Sequence, residues 1–361
     1  MLKRAVSYLL LIYIGVLCLA CEIKYEQAAS FATQNKVDAA RPAENTRFPF
    51  EYDPTYARIL NQNEWMIADG KVVWITHNGG QSWEKSFEPS DSDQKPVNIR
   101  GLSFSDKETV FAATDDSLFR SDNFGETWYK QGELNFSANS IFFLNNKDGW
   151  AVATSFKDKM KASENVPLYE GSIYSTNNGG ISWTKNKIDG IEVLSKRFNK
   201  WSLSDIIAFD SGKGFAVGDG IILQTDNYGE NWNIADAEKY KYYKLGYLNE
   251  KVIWAVTTGG YREFSLTTDG GNKWQTISIP EANRDTAQFV EFLDEKTALV
   301  GLNDLYVITT YGKKWSKIEN PFYIYYVESK KDGSLMALAR DEKRSFALYS
   351  IDKGKTWKSF Q

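Results

Sequence analysis

Short apolar runs of four to seven residues, separated by glycine, aspartate and serine, set the rhythm of this chain. One interval shows the unit: Asn98–Phe104, Thr109–Ala113, Ser117–Arg120 and Thr127–Lys130 follow one another, their apolar residues alternating or continuous. Runs of this length bounded by turn formers predict strands. The same order returns in Ile206–Phe209, Gly214–Val217 and Ile221–Gln224, and again in Phe289–Phe292, Ala298–Val300 and Leu305–Ile308. Each unit is therefore expected to hold four antiparallel strands, laid down from inner to outer in sequence order.

Between the third and fourth runs lies an octapeptide of the form Ser/Thr-x-Asp/Asn-x-Gly-x-x-Trp. Six copies are complete: Thr76–Trp83, Ser121–Trp128, Thr176–Trp183, Thr225–Trp232, Thr267–Trp274 and Ser350–Trp357. A seventh, ending at Trp315, keeps Gly312 but has Ile308 and Thr310 at the hydroxyl and Asp/Asn positions. The pattern describes a hairpin turn in which the Asp or Asn side chain accepts backbone N–H groups and the glycine takes a positive φ. Successive box tryptophans lie 45, 55, 49, 42, 41 and 42 residues apart. A four-stranded propeller blade needs about 40 to 50 residues. The expected fold is all-β, a seven-bladed β-propeller with four-stranded antiparallel blades over residues 46–361. How its ring closes is left open: Arg47–Tyr52 either adds an outer strand or plugs a blade junction.

The octapeptide resembles the Asp-box, or BNR-like repeat, of sialidase-type propellers, sortilin-type receptors, xyloglucanases and the photosystem II assembly factor family, over Tyr56 to Gln361. That resemblance implies a propeller and leaves the activity open. Sialidases imply three arginines, a tyrosine nucleophile with a glutamate, and an aspartate acid/base; Arg47 maps onto one arginine, Arg100 is the only other at an inner position, and sialidases have six blades. Xyloglucanases imply two carboxylates in a cleft between two tandem rings, whereas this chain supplies one ring. The assembly factors imply a single lipid-anchored or lumenal seven-bladed ring acting as a chaperone, but their arginine-rich patch has no counterpart here beyond Arg100.

Composition narrows the classes. The 361 residues carry a net charge of −4 with both signs interspersed and no basic block, which argues against nucleic acid. The one histidine, His77, lies inside a box turn, so His-based triads and multi-histidine metal sites are not expected. The glycine pairs Gly79-Gly80, Gly179-Gly180 and Gly270-Gly271 belong to hairpins and not to a phosphate loop. No cofactor and no metal is expected, and the oligomeric expectation is a monomer.

At the N-terminus Lys3 and Arg4 precede an apolar run from Ala5 to Ala20, a secretory signal pattern. Its end, Cys18-Leu19-Ala20-Cys21, resembles a bacterial lipobox in which Cys18 replaces the usual leucine. Residues 1–21 thus read as a lipoprotein-type signal peptide with Cys21 as the lipidation site; an uncleaved anchor helix or an ordinary signal peptide is the alternative. Residues 22–45 lack periodicity and read as a flexible tether, with an interfacial helix as the alternative. The chain's two cysteines are Cys18 and Cys21, so the propeller is expected to hold no disulfide.

In this topology the boxes share one face with the turns joining first to second strands. The opposite face carries the mouth of the central channel. Two candidate sites lie there. The long intervals place insertions at Thr154–Glu170 and Lys185–Leu203 on neighbouring blades, the second with Arg197 and Lys200 beside Trp201 as an apolar anchor. The residues starting the inner strands, Tyr56, Arg100, Asn139, Asp205, Tyr243, Gln288 and Tyr323, form a polar and aromatic ring, with Asp69, Asp115, Asp116, Asp219, Asp304 and Asp341 in nearby loops. Asp205 is the one carboxylate of the ring, whereas glycoside hydrolysis generally uses a pair about 5–10 Å apart. The sequence therefore points to a membrane-tethered, non-catalytic interaction or assembly module of the bacterial cell envelope, lipid-anchored at the outer membrane, periplasm or cell surface, with an envelope protein or membrane complex as partner. The alternative is a glycan-binding or glycoside-hydrolysing surface lipoprotein served by Tyr243, Tyr323 and Trp201.

Overall fold

The computed structural model describes residues 56–359 apart from 62, 92, 158–167, 191–200, 237–240, 259–262, 280–286, 321, 331–332 and 342–344. Seven sheets follow one another along the chain, each antiparallel in its four sequential strands, and no helix occurs among the described residues. Blade 1 (residues 56–87) comprises Tyr56–Ile59, Trp65–Ala68, Val73–Thr76 and Glu84–Phe87. Blades 2 to 7 span residues 101–133, 138–185, 203–236, 241–278, 289–318 and 323–359. Second strands such as Trp65–Ala68 and Val110–Ala113 are wholly buried, because a neighbouring blade covers each face of the sheet. Alanines recur in them (Ala112, Ala151, Ala216, Ala255, Ala298, Ala337), all at 0% exposure, where the blades converge towards the axis and only small side chains fit the taper.

Seven apolar clusters fill the seven gaps between blades. The one that closes the ring packs Ile59, Trp65 and Ile67 of blade 1 against Met336, Leu338 and Ala347 of blade 7. Across the same joint Tyr326 donates its hydroxyl hydrogen to the Ala57 carbonyl at 3.0 Å, and Glu328 accepts the Ile59 N–H at 3.1 Å. Among the described residues each blade draws its four strands from its own segment, and side-chain packing joins blade 7 to blade 1. Arg47–Tyr52, residues 22–45 and Cys21 lie outside the described residues.

The six complete boxes are built alike. The opening hydroxyl donates to the Asn or Asp oxygen two residues on, as Thr76 does to Asn78 at 2.9 Å, and accepts the N–H of the box glycine, Gly80, at 3.0 Å. The same carboxamide or carboxylate oxygen takes the N–H four residues on, Ser82 in this box and Lys273 in the Asp269 box. Sequence reasoning anticipated the Asp/Asn acceptor and missed the hydroxyl as the hub. The seven glycines preceding the tryptophans have φ between 82° and 90°. In blades 2 to 7 they also press on the preceding blade: Gly125 on Met66, Gly180 on Leu118, Gly229 on Trp150, Gly271 on Phe215, Gly312 on Ile277 and Gly354 on Leu299. Each box is thus a wedge between blades. The fourth box residue donates its N–H to the first-to-second turn of its own blade, as Gly79 does to Asn63, Phe124 to Glu108 and Tyr228 to Gly212, which ties boxes and turns into one face.

Two long intervals depart from the plain blade. In blade 3 the second and third strands run for nine residues each, Gly149–Lys157 and Leu168–Thr176, paired from Gly149↔Thr176 to Lys157↔Leu168. The described ends of the first insertion therefore continue the two strands of the blade about 10 Å past the other blades' strands, at about 3.3 Å per residue. After blade 3 the chain adds Lys187–Ile188 in parallel to Asn231–Trp232, a fifth strand on the outside of blade 4. Part of what reads as a lead-in loop is thus sheet, with Ile188 buried.

Candidate functional site

At the end of the channel opposite the boxes, the inner-strand residues reach across the gaps between blades. Tyr56 of blade 1 donates its hydroxyl to the Arg100 carbonyl of blade 2 at 2.5 Å. Asn139 of blade 3 donates to the Leu203 carbonyl of blade 4 at 2.7 Å and to Thr154 at 2.9 Å. Tyr243 of blade 5 donates to the Gln288 carbonyl of blade 6 at 2.8 Å and to that of Ala287 at 3.0 Å. Burial pushes the hydroxyls of Tyr56 and Tyr243 up to about 12, with Asp205 adding to the rise for Tyr56 and Tyr323 for Tyr243. Both remain protonated donors at neutral pH.

Asp205 is buried and fully engaged. One oxygen accepts Ser140 Oγ of blade 3 at 2.8 Å; the other accepts the Leu245 N–H of blade 5 at 2.9 Å and has Lys244 Nζ at 3.5 Å. The residue fastens three blades. A physical reason makes such acceptors recur: the inner strand is the edge of its sheet, and its outward N–H groups have no ladder partner. The preceding blade supplies one. Ser103 Oγ accepts the Phe143 N–H at 2.7 Å, Glu291 the Ser329 N–H at 3.0 Å and its Oγ at 2.6 Å, and Glu328 the Ile59 N–H.

The other ring members are more exposed. Arg100 pairs with Asp115 at 2.6 Å, and Gln288 is exposed beside the tyrosine that holds its carbonyl. Tyr323 stacks on Tyr325 with centroids 6.4 Å apart and lies beneath the Arg340 guanidinium at 4.6 Å. The loop carboxylates are likewise engaged: Asp219 accepts Ser202 and faces Lys241, and Asp304 pairs with Lys317 at 2.9 Å.

Trp201 corrects the sequence reading. It is 1% exposed and lies in the core between blades 3 and 4, where Gly171 of the long hairpin leaves room for its ring. It is a foundation of that hairpin and not a surface anchor. Arg197 and Lys200, read as its neighbours in a binding lobe, lie outside the described residues.

Sequence reasoning passed over Arg340 and a charged cluster inside the channel. Glu328 holds Arg58 at 2.8 Å and Lys330 at 2.9 Å, and Lys330 also donates to the Ile59 carbonyl. Glu291 lies beside them, its carboxyl pushed up to about 7 by burial, against the opposing effect of the Ser329 hydrogen bonds. Burial also lowers Lys330 and raises Tyr326. The available signal was a charged residue within three of the short inner runs: Arg58 within Tyr56–Ile59, Glu291 within Phe289–Asp294 and Glu328 within Tyr323–Ser329. No group of three His, Cys, Asp or Glu residues suited to a metal ion occurs among the described residues, nor does a helix long and apolar enough to cross a membrane.

No family model matches the chain. It is similar in sequence to the photosystem II assembly lipoprotein Ycf48 of Synechococcus sp. strain CC9902, with 22% identity over 292 residues, 78% of this chain and 77% of that protein. Among solved structures it resembles Ycf48 bound to D1 peptide (TM-score 0.56, 15% identity, 86% of this chain and 100% of that one). It also resembles Ycf48 from Cyanidioschyzon merolae (TM-score 0.59, 15% identity, 84% and 96%). An ancestral GH74 enzyme shares the fold at TM-score 0.53 and 14% identity, over 85% of this chain and 46% of the enzyme. These structural likenesses are of fold.

Proposed function

We propose that this chain is a membrane-tethered, non-catalytic propeller that binds a protein partner at the channel mouth during assembly of an envelope complex. The observation that carries the reading is the state of Asp205: the single carboxylate of the mouth ring fastens blades 3, 4 and 5 through both its oxygens. A glycosidase site needs an acid and a second carboxylate free to act on substrate or water. What the mouth presents outward is Arg100, Gln288 and the Tyr323–Arg340 stack, groups suited to holding a polypeptide surface. Similarity to an assembly lipoprotein, and a fold neighbour solved with a bound peptide, support the same reading. The anchor is a lipid on Cys21, which places the ring at the outer membrane, in the periplasm or at the cell surface.

Affinity capture from detergent-solubilised envelopes, with the full-length chain as bait, tests the proposal. Enrichment of one membrane or envelope protein complex is expected, and Arg100→Ala with Arg340→Ala should weaken it without moving the melting temperature. Retention on polysaccharide columns with no protein captured would replace this reading with the glycan-binding one.

A further inference from the structure

Exposed large apolar side chains among the described residues gather on the box side of the ring. Tyr228, Ile181 and Ile351 sit in box turns, Tyr129 follows one, and Tyr247 ends an inner strand at that end of the channel. The repeat supplies its own control for the two isoleucines. At the position of Ile181 the other boxes carry Gln81, Glu126, Glu230, Asn272, Lys313 and Lys355. At the position of Ile351 they carry His77, Asp122, Asn177, Asp226, Thr268 and Thr309. Neither side chain takes part in the hydroxyl and Asp/Asn bonding that builds the turn. Ile181 is 62% exposed and Ile351 71%, a cost in water that the fold does not require.

Charge in the boxes of this face is divided. The box of blade 4 offers exposed Asp226 and Glu230 and contains no cation; the box of blade 6 offers exposed Lys313 and Lys314 and contains no acid. Lys213 lies 4.0 Å from Asp226 and leaves Glu230 uncompensated. A two-fold axis lying in the plane of the face, through blade 5 and between blades 1 and 2, superposes blade 4 on blade 6 and blade 3 on blade 7. That one operation sets the turn that carries Ile181 against the turn that carries Ile351, and the box with Asp226 and Glu230 against the box with Lys313 and Lys314. Symmetry then repeats each contact in an isologous interface. It also brings box 2, with Asp122 and Glu126, over box 1, where His77 already pairs with Glu126 within each copy.

We propose that the box face is a self-complementary docking surface on which a second copy of this chain binds face to face about this axis. The mouths of both rings then point outward, so dimerisation and partner binding use opposite faces. The assembly so formed presents two mouths for partner proteins.

The test uses full-length protein in native membranes carrying Ile181→Cys and Ile351→Cys together, oxidised and run on a non-reducing gel. A covalent dimer is expected from the double variant. A mixture of the two single variants should also give it, each single variant alone should not, and Ser137→Cys on the mouth face should not. Lys313→Glu with Lys314→Glu should lower the dimer at least about fivefold by setting like charges opposite one another, and adding Asp226→Lys with Glu230→Lys to the same chain should restore it. Unfolding temperatures confirm that each variant is folded. Absence of the dimer in a folded double-cysteine chain, equal cross-linking from Ser137→Cys, indifference to the charge reversals, or cross-links to another protein in place of a second copy would each overturn the proposal.

Discussion

Glu291→Gln isolates one buried charge in the channel. In the folded protein burial raises the Glu291 carboxyl from 4.5 to about 7, Glu328 adds to the rise, and the two Ser329 hydrogen bonds and Lys330 oppose it. Arg58 and Tyr326 face the same cluster through Glu328. A carboxyl whose pKa is raised on folding binds its proton more tightly when folded. Its contribution to stability is therefore fully present below pH 4.5 and is lost as pH rises through about 7. At about 1.4 kcal/mol per pH unit the loss is on the order of 3 kcal/mol, comparable to a large fraction of a domain's stability. Glutamine keeps an oxygen to accept Ser329 N–H and Oγ and carries no charge at any pH. The depressed carboxyls of Asp269 and Asp352 act with the opposite sign, losing their contribution as pH falls below about 4, outside this window. Urea unfolding of both proteins at pH 5, 6, 7 and 8 gives the difference directly. The variant should match or trail the wild type at pH 5 and exceed it at pH 8, the gap moving by roughly 2–3 kcal/mol. Parallel pH profiles would refute the assignment of a buried, charge-costing carboxyl.

Two glycines separate strain from crowding. Gly271 and Gly333 share a positive φ, but a Cβ at Gly271 would lie 2.5 Å from Gln224 Oε1 and 2.6 Å from the Phe215 ring, whereas at Gly333 it meets nothing. Gly333→Ala should cost about 1 kcal/mol and Gly271→Ala about 2–4 kcal/mol in denaturant midpoints, and equal costs would discredit the box as a wedge between blades. Trp201→Ala should lose about 3–5 kcal/mol, and a change within 0.5 kcal/mol would instead restore the surface reading. Cys21→Ser should release the protein from membranes and abolish incorporation of labelled fatty acid, and unchanged fractionation of an unlabelled wild type would exclude lipidation there.

The boxes made the fold legible because their chemistry is local. A hydroxyl, an Asp or Asn and a glycine within five residues build the turn in six boxes, and Gly312 and Trp315 mark the eroded seventh, so the near-even spacing gives seven blades without knowledge of any contact between them. The mouth ring was legible in register, since Tyr56 and Tyr243 do meet the blades following theirs at Arg100 and Gln288. What Asp205 does there was not, because its partners Ser140 and Leu245 lie 65 and 40 residues away. Trp201 misled for a related reason: an aromatic residue in a lysine-rich stretch looks exposed, and only Gly171, thirty residues earlier on the neighbouring blade, shows that a cavity awaits it. Glu291 and Glu328 are acceptors for edge-strand N–H groups, a need that arises once the blades stand side by side.

Site-specific photo-cross-linking tests the central claim most directly. A photoreactive residue at Ser137, Gln288 or Arg340 on the mouth face, or at Gln81 or Thr268 on the box face, is incorporated in full-length protein and irradiated in intact cells. Cross-links to one envelope protein from the mouth positions, and none to that protein from the box positions, are the predicted result. Cross-links to that partner from the box face alone, or no protein adduct from any mouth position, would contradict it.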